Sequence, residues 1–438
     1  MTDKRIAELQ KAGVEFIRVT YPDLHGICRG KEIPIEVFAA AAEHGIHQTE
    51  AIMTVDLAHN VVAGFEHGFR DYVNIPDLAT LVQLPFDPTV AMCLSDGRSL
   101  DGSPYDTDPR GALRAAIARF DALGYTAICA PELEFYIVDP DTFTPYAPRF
   151  SSVYTCGDIA DPKGVLRAIT IAARDLGLQP IASAHEYGCG QYEINLAHSE
   201  ALDAVDRSFR LKDLVKTIAA RHGLLATFMG RLFDHDDGSG MHLHLSLERK
   251  GKNAFDDANG RNGLSDLAYQ FGAGVLAHIT GLTAILNPTV NAYRRLVVES
   301  LAPTHVNWGD DNRLALLRFP PERGGGARIE VRSADGTANL HLAAAGLLAA
   351  GLDGVERKLT LPEPIEGNPY ETESLGDALP NNLGAALAAL EGDALLVGAL
   401  GEQLVARFLE IKRYELDRWH AELAKVTDWE RREYAPHL

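Results

Sequence analysis

Cysteine is scarce in this sequence, and the five cysteines stand far apart with no CxxC pair. This pattern argues against a disulfide framework or a cysteine zinc site and favours reduced thiols. No stretch approaches the roughly 18 apolar residues of a membrane-spanning helix, and the first residues are too polar for a signal peptide. We therefore expect a cytoplasmic protein that does not associate with membranes.

Positive charge is also in short supply, since 41 Lys and Arg stand against 61 Asp and Glu, which leaves a net charge of −20. An acidic chain of this kind is a poor partner for nucleic acid or for an anionic membrane. No GxxxxGK[ST] motif occurs, so the glycine run Gly324 to Gly326 is interpreted as a flexible loop and not as a phosphate-binding loop.

With 438 residues, of which 46% are hydrophobic, the chain is long enough for two or three structural units. The segment Ser95 to Pro109 is rich in Asp, Gly, Ser and Pro, and it predicts a boundary between units at 1–104 and 105–438. Hydrophobic periodicity predicts helices at Arg5–Lys11, Ile35–His44, 109–123, 163–176, 201–222, 264–281 and 338–353, and strands at Val14–Tyr21, near Leu81 and at Val90–Leu94. The fold class is therefore α+β.

Two short segments carry charged or ligating side chains at every second position, with apolar residues between them. Glu132 and Glu134 alternate with Leu133 and Phe135, and His242, His244 and Ser246 alternate with large aliphatic residues. This spacing aims the polar side chains at one face of a strand. A solvated strand face or a buried core histidine explains either segment taken alone, so both alternatives stay open.

Arginines follow a similar pattern further along the chain. Arg328, Glu330 and Arg332 share one strand face, and Arg313 and Arg318 end another apolar segment that we predict to be a strand. The alternative for the first group is a surface salt-bridge ladder of little energetic value. The four arginines of these two segments otherwise require anionic partners such as phosphates.

A turn flanked by glycines in His185-Glu186-Tyr187-Gly188-Cys189-Gly190-Gln191-Tyr192-Glu193 predicts a hairpin that returns Glu193 towards Glu186. Several glutamates and one histidine on short strands form an oxygen-rich set that suits Mg²⁺ or Mn²⁺ better than zinc or copper. With arginines nearby, the set indicates phosphoryl transfer from ATP to a carboxylate.

These residues resemble the glutamine synthetase superfamily from about residue 14 to the C-terminal helices. Six motifs carry the resemblance: PELEF at 131–135, HEYGCGQYE at 185–193, GSGMHLHLS at 238–246, NPTVNAYRRL at 287–296, DNR at 311–313 and RIEVR at 328–332. The resemblance implies a β-grasp N-terminal domain, a catalytic domain with a curved antiparallel sheet, and a homo-oligomer of two stacked hexameric rings.

The resemblance also implies roles for individual residues. Two Mg²⁺ or Mn²⁺ ions per site would be held by Glu134, Glu186 and Glu193 and by Glu132, His242 and Glu330. Arg295, Arg332 and Gly238 would bind glutamate, and Arg313 and Arg318 would contact the transferred phosphate as catalytic residues. His244, Ser246 and Arg328 would serve ATP.

The implied reaction activates the γ-carboxylate of glutamate as γ-glutamyl phosphate, which a nitrogen nucleophile then attacks. Family members that use ammonium place acids where this chain is aligned with His47 and Leu301, although Glu50 and Glu299 lie close by in the sequence. An imidazole and an isobutyl group suit a carbon-bearing amine better than ammonium, and Tyr154 is aligned with a residue of the same pocket. The sequence therefore resembles most the branch that makes γ-glutamyl derivatives of polyamines or ethanolamine.

Three other interpretations remain at this stage. The first is a glutamine synthetase that uses ammonia, and the second is a non-catalytic regulatory member of the superfamily. The third is a metal-dependent amidohydrolase, although such barrels carry their HxH pair on an early strand and do not need clustered arginines.

Overall fold

Two β-sheets contain the strands of the computed structural model, which describes residues 2–147, 152–298, 300–371 and 376–435. In these ranges the first sheet comprises β1 (Phe16–Pro22), β2 (Cys28–Pro34), β3 (Ile46–Thr49), β4 (Asp71–Leu84) and β5 (Asp87–Arg98). The second comprises β6 (Thr126–Val138), β7 (Pro180–His185), β8 (Gln191–Leu196), β9 (Ser199–Glu200), β10 (Leu225–Thr227), β11 (Gly240–Arg249), β12 (Lys252–Asn253), β13 (Trp308–Asp310), β14 (Leu317–Phe319) and β15 (Ile329–Asp335).

The helices of the described ranges lie before, between and after these strands. They are α1 (Thr2–Lys11), α2 (Ile35–His44), α3 (Pro109–Ala122), α4 (Val165–Asp175), α5 (Ala201–Arg221), α6 (Asp266–Leu286), α7 (Leu340–Arg357), α8 (Leu383–Gly392), α9 (Ala394–Leu400), α10 (Glu402–Leu423) and α11 (Asp428–Tyr434). The predicted α+β composition is confirmed, and α2 has the predicted bounds.

The first sheet has the strand order β2-β1-β5-β4-β3, with β1 and β5 parallel at its centre and the other pairs antiparallel. Helix α2 packs Ile35 and Phe38 against Ile17 and Val19 of β1, because its apolar positions recur on one helix face. The β-grasp name for this unit stays a prediction from the resemblance.

The second sheet has the path β13-β14-β15-β11-β6-β8-β7. Its pairs are antiparallel with one exception, since β13 and β14 run parallel. The expected antiparallel sheet therefore includes one parallel pair at this edge. The four central strands β15, β11, β6 and β8 carry five of the six predicted metal ligands, and the sixth, Glu186, lies in the turn between β7 and β8.

Local sequence signals account for the start of α3. The Asp108 side chain accepts a hydrogen bond from the Arg110 amide at 3.0 Å, and Pro109 occupies the first helical turn, where its missing N–H costs nothing. The helix ends at Ala122, one residue before the predicted end.

The predicted strand from Arg313 to Arg318 is wrong over most of its length, since only Leu317–Phe319 is a strand. Asp311 has a left-handed backbone with φ of 49°, and the Asn312 side chain accepts a hydrogen bond from the Leu314 amide at 3.0 Å. This asparagine turn bends the chain and prevents an extended conformation.

One hydrophobic core joins the two predicted units. Its buried members include Leu24 from the turn between β1 and β2, Val90 and Leu94 from the first sheet, and Leu133 and Phe135 from the second. The division at residues 104 and 105 therefore stays a proposal.

Helix α6 corrects the expectation that no segment is long and apolar enough to cross a membrane. It passes that test by length and composition, as does the bent pair α8 and α9, but 72% of the most apolar part of α6 is buried inside the protein. Such burial is the pattern of a core helix, because a lipid-facing helix would expose its apolar side chains.

His278 on α6 connects three helical segments through carboxylates. Its Nδ1 lies 2.7 Å from Asp393, the N-cap of α9, and its Nε2 lies 3.1 Å from Asp353 on α7. The hydrogen bond to Asp393 raises the pKa of His278 despite the opposing effect of burial. Because both ring nitrogens face carboxylates, the protonated imidazole is the stable form.

We expect His278→Gln to reduce the free energy of unfolding by about 1 kcal/mol at pH 6 and by less at pH 9. A pKa that is higher in the folded state stabilises below the unfolded pKa, and this contribution is lost as pH rises through the folded value. Thermal unfolding at both pH values tests this, with His67→Gln on the exposed surface as the control. An equal loss at both pH values would contradict the charged state of His278.

Candidate active site

Strand register places the predicted metal ligands opposite one another. Glu132 of β6 pairs with His242 of β11, and Glu134 of β6 pairs with Glu193 of β8. Glu330 of β15 stands opposite His244 of β11. Because directly opposed residues in a sheet share a face and lie close together, four strands contribute to one group of side chains.

These residues form two groups of three whose ligand atoms all lie within 4.8 Å of one another. One contains Glu132, His242 and Glu330, and the other contains Glu134, Glu193 and His242. His242 belongs to both, with its Nδ1 at 3.5 Å from Glu132 and 3.7 Å from Glu330. The first group is the set that the resemblance assigned to one ion.

Glu186 stands beside these groups without belonging to either. Its amide donates to the Gln191 carbonyl across the β7–β8 hairpin at 2.9 Å, as the glycine-flanked turn predicted. Burial, together with the charges of Glu134 and Glu132, raises the pKa of Glu186 to about 7. The predicted set of Glu134, Glu186 and Glu193 is therefore close in space, but His242 is the third member of the compact group.

Negative charge is concentrated on the Glu193 side of the site. Burial, and then the charges of Glu132 and Glu134, raise the pKa of Glu193. Carboxylates packed this closely repel one another unless protons or cations lie between them. An oxygen-rich set with one imidazole suits a hard divalent cation, so the residues present fit Mg²⁺ or Mn²⁺.

On the Glu330 side of the site, positively charged side chains surround the carboxylate. Burial opposes ionisation there, but the charges of His242 and Arg332 lower the pKa of Glu330 to about 2. Arg318 Nη1 donates to one oxygen of Glu330 at 2.6 Å, and Arg332 Nη1 donates to the other. Glu330 is 1% exposed, so this carboxylate remains ionised and holds two guanidinium groups beside the acidic strands.

The other predicted arginines differ in their surroundings. Arg328 Nε donates to His244 Nδ1 at 3.1 Å. Arg313 is exposed, and only its main-chain carbonyl joins the cluster, by accepting from Arg332 Nε at 2.9 Å. Three of the four arginines thus contact the strand residues through their side chains, and the phosphate-contacting role of Arg313 stays a prediction.

Arg295 is buried beneath the glycine segment 238–240. Its guanidinium donates to the carbonyls of Ser333 at 3.2 Å and Arg332 at 3.3 Å. A Cβ at Gly238 would lie 2.6 Å from the Gly230 carbonyl and 2.9 Å from Arg295 Cγ, so only glycine fits there. Gly238 and Arg295, both predicted to bind glutamate, are therefore in contact.

A cavity of about 320 Å³ opens beside Glu132. Its walls include all three residues predicted to serve ATP, namely His244, Ser246 and Arg328. Because His244 Nδ1 accepts the hydrogen bond from Arg328, the ring proton is on Nε2, which lies 3.2 Å from a Glu132 oxygen. His244 therefore links Arg328 in the cavity wall to Glu132 in the acidic cluster.

The three residues predicted to form the amine pocket have separate surroundings. His47 on β3 lies 3.6 Å from Asp71, and its carbonyl accepts from Lys31. The Tyr154 amide donates to the His185 carbonyl at 2.8 Å, next to Glu186, and its side chain is exposed. Leu301 is also exposed, and Glu299 lies outside the described residues. The amine pocket stays a prediction.

Sequence reasoning missed two amides that hold the carboxylates in place. Gln191 Nε2 donates to Glu134 and to the Gly238 carbonyl, both at 3.1 Å, and Asn195 Nδ2 donates to Glu193 at 2.9 Å. Glu134 also accepts from the Gly240 amide at 2.7 Å. The alternation of Gln191, Glu193 and Asn195 along β8 was the available signal, since these side chains share one strand face.

Residues 106–434 match the family described as "Glutamine synthetase, catalytic domain". The chain is 37% identical to the glutamine synthetase of Methanococcus maripaludis over 436 residues, which cover 96% of each protein. The chain belongs to the glutamine synthetase family. Identity to the glutamine synthetase of Methanocaldococcus jannaschii is 36%, covering 99% of this chain and 97% of the relative.

A solved structure of GmaS in complex with ADP is also similar to this glutamine synthetase family member. The TM-score is 0.88 at 34% identity, and the match covers 98% of this chain and 99% of GmaS. The chain therefore has the fold of the glutamine synthetase ligases, with their curled sheet. Enzymes of this family use ATP and divalent metals.

We expect the affinity of this glutamine synthetase family member for Mn²⁺ to increase as pH rises through about 7, with release of protons. The pKa of Glu186 is about 7 and that of Glu193 is raised as well, so metal ions compete with protons below these values. Calorimetric titration at pH 6, 7 and 8, in buffers of different ionisation enthalpy, measures both quantities. An affinity for Mn²⁺ that does not change with pH would contradict metal binding at these carboxylates. Glu200→Gln, outside both groups, is the control variant and should bind Mn²⁺ like the unmodified protein.

Proposed function

We propose that this protein catalyses ATP-dependent ligation of the γ-carboxylate of glutamate to a carbon-bearing amine through γ-glutamyl phosphate. The observation that carries the proposal is the pair of three-residue groups sharing His242, with Arg318 and Arg332 bound to Glu330. Such an arrangement supplies cations on both sides of a transferred phosphoryl group.

In this proposal each part of the site has one task. The acidic groups hold two Mg²⁺ or Mn²⁺ ions, which neutralise charge on the transferred phosphate when bound. Arg313 and Arg318 contact that phosphate, while Arg295, Arg332 and Gly238 bind glutamate. ATP occupies the cavity lined by His244, Ser246 and Arg328. The solved complex of the similar protein GmaS with ADP supports an adenine nucleotide as substrate.

His47, Tyr154 and Leu301 support the preference for a carbon-bearing amine. An exposed isobutyl group at Leu301 and an imidazole at His47 offer little to attract ammonium, while they provide apolar surface for a carbon chain. Because His47 belongs to the first sheet, an oligomer would let the first sheet of one copy complete the site of a neighbour. Two stacked hexameric rings remain the oligomer proposed from the resemblance.

A second candidate function is glutamine synthesis from ammonia. It is favoured by the curated relatives of 36–37% identity, which are named glutamine synthetase. The two candidates share every step up to γ-glutamyl phosphate and differ only in the nucleophile.

An ADP-release assay with glutamate, Mg²⁺ and a panel of ammonia, ethanolamine, alkylamines and polyamines tests the proposal. We expect turnover with at least one amine to exceed turnover with ammonia. In Leu301→Glu the ratio of ammonia to amine turnover should rise about tenfold, because a carboxylate attracts ammonium and takes its proton.

Val298→Glu is the matched control, since Val298 is a similarly exposed apolar residue three positions away. Its ammonia-to-amine ratio should remain that of the unmodified protein. If ammonia is the best substrate of the unmodified protein, the amine proposal fails and glutamine synthesis stands. If no nucleophile supports ADP release, both fail and a regulatory member of the family remains.

A further inference from the structure

A second cavity, of about 610 Å³, lies between α5, the turn joining β1 to β2, and α10. None of its described lining residues belongs to the site proposed above. The walls are mainly apolar and include Ile27, Leu57, Phe209, Leu225 and Phe228. Its volume falls within the range of small-molecule sites, and its apolar walls favour a ligand with a hydrocarbon body.

Two lysines one helical turn apart on α5 face this cavity. The buried Lys212 ammonium donates to the carbonyls of Gly336 at 2.8 Å and Ala338 at 3.3 Å. Since an ammonium group has three N–H donors, one is left for a ligand. Lys216 is exposed at the mouth, and both ammonium groups lie within 6 Å of the centre of the Phe228 ring.

The remaining charges at the cavity do not neutralise both lysines. Lys412 already pairs with Glu415 at 3.0 Å and donates to His25 Nδ1 at 3.0 Å. His25 Nε2 donates to the Val55 carbonyl, so this ring is neutral. Asp213 is the one acid among the described lining residues, so the walls carry two lysines of α5 against one acid. Asp23 and Asp335 act on Lys212 from positions that do not line the cavity.

Burying an ammonium group without an ion-paired carboxylate is costly. Burial, together with the charge of Lys216, lowers the pKa of Lys212 to about 7, although the charges of Asp335 and Asp23 act in the opposite direction. A ligand carboxylate at this position would offset that cost, and its hydrocarbon part would cover the apolar walls. We infer that this cavity is a binding site for a carboxylate with an apolar body, such as a medium-chain fatty acid, held by Lys212 and Lys216.

Calorimetric titration of the full chain with decanoate, 1-decanol and inorganic phosphate, without ATP, tests the site. We expect decanoate to bind saturably, one per chain, and more tightly than either 1-decanol or phosphate. Lys212→Met should weaken decanoate binding by roughly tenfold or more, as the loss of a charged hydrogen bond does. Ala220→Trp, which fills the cavity from its exposed edge, should abolish binding.

Arg221→Met is the matched control, because it removes a positive charge from the end of α5 at a residue that does not line the cavity. Its affinity for decanoate should be unchanged. If Lys212→Met does not fold, Lys216→Met and Ala220→Trp decide the question, since both positions are exposed.

Four results would overturn the inference: no saturable binding of decanoate, equal binding of 1-decanol, equal binding of phosphate, or unchanged affinity in the cavity variants. Equal binding of 1-decanol would show that the carboxylate does not contribute to affinity. Equal binding of phosphate would show that the hydrocarbon chain does not contribute. The titration contains no ATP, glutamate or amine, so its outcome is independent of the ADP-release assay.

Discussion

Glu330→Gln is expected to reduce the rate of ADP release with glutamate and the best amine by about 10²- to 10³-fold. Glu330 is a member of the group with Glu132 and His242, and its two oxygens accept from Arg318 and Arg332. An amide side chain keeps the shape but removes the charge, so one metal ligand is weakened and two guanidinium groups lose their counter-ion. The near-complete burial of Glu330 prevents water from replacing that charge.

The matched control is Glu356→Gln, whose carboxylate is 51% exposed and makes one surface ion pair with Arg119 at 3.4 Å. Its ADP-release rate should stay within twofold or so of the unmodified protein, because exposed pairs contribute little. Thermal unfolding of both variants separates loss of the site from loss of the fold. A Glu330→Gln protein that is folded and fully active would contradict the proposed site.

Arg110→Met is expected to reduce the free energy of unfolding by about 3–5 kcal/mol. The Arg110 side chain is 1% exposed and donates to Asp77 at 2.7 Å, to Asp206 at 2.8 Å and to Asp96. Removal of the guanidinium leaves three carboxylates, in β4, β5 and α5, without their shared counter-ion. Urea unfolding followed by fluorescence measures the change.

Arg114→Met provides a close comparison, since Arg114 pairs with the same Asp77 and Asp96 at 3.0 Å each. Its side chain is 39% exposed, so solvent screens these pairs and the expected loss is below about 1 kcal/mol. Equal losses in the two variants would show that burial does not determine the strength of this network.

The local sequence pattern was sufficient to predict features that depend on residues of a single strand or helix. The alternation in β6 and β11 predicted that Glu132 and Glu134 share one strand face, as do His242 and His244. In the structure Glu132, Glu134 and His242 lie in the two three-residue groups. The capping signal of Asp108 and Pro109 located the start of α3 for the same reason, because its partners are two residues away.

Prediction from the local sequence pattern failed where a side chain bends the backbone, and where a contact joins residues far apart in the sequence. The Asn312 turn interrupted the strand predicted from Arg313, although the residues that follow are apolar. Neither the sharing of His242 between two groups nor the support of Glu134 by Gln191 was predicted. Both depend on strand register, which is set by pairing between distant segments.

The sequence by itself determined the family of this protein, because six ordered motifs, with their carboxylates, histidines and arginines, resemble those of the glutamine synthetase superfamily. Only the tertiary structure decided which of these residues meet. It placed Glu330 between two arginines, left Arg313 exposed, and gathered Asp77, Asp96 and Asp206 around Arg110. The sequence specifies the chemistry of each side chain. The distances between side chains and their burial arise only when strands and helices far apart in the chain pack together.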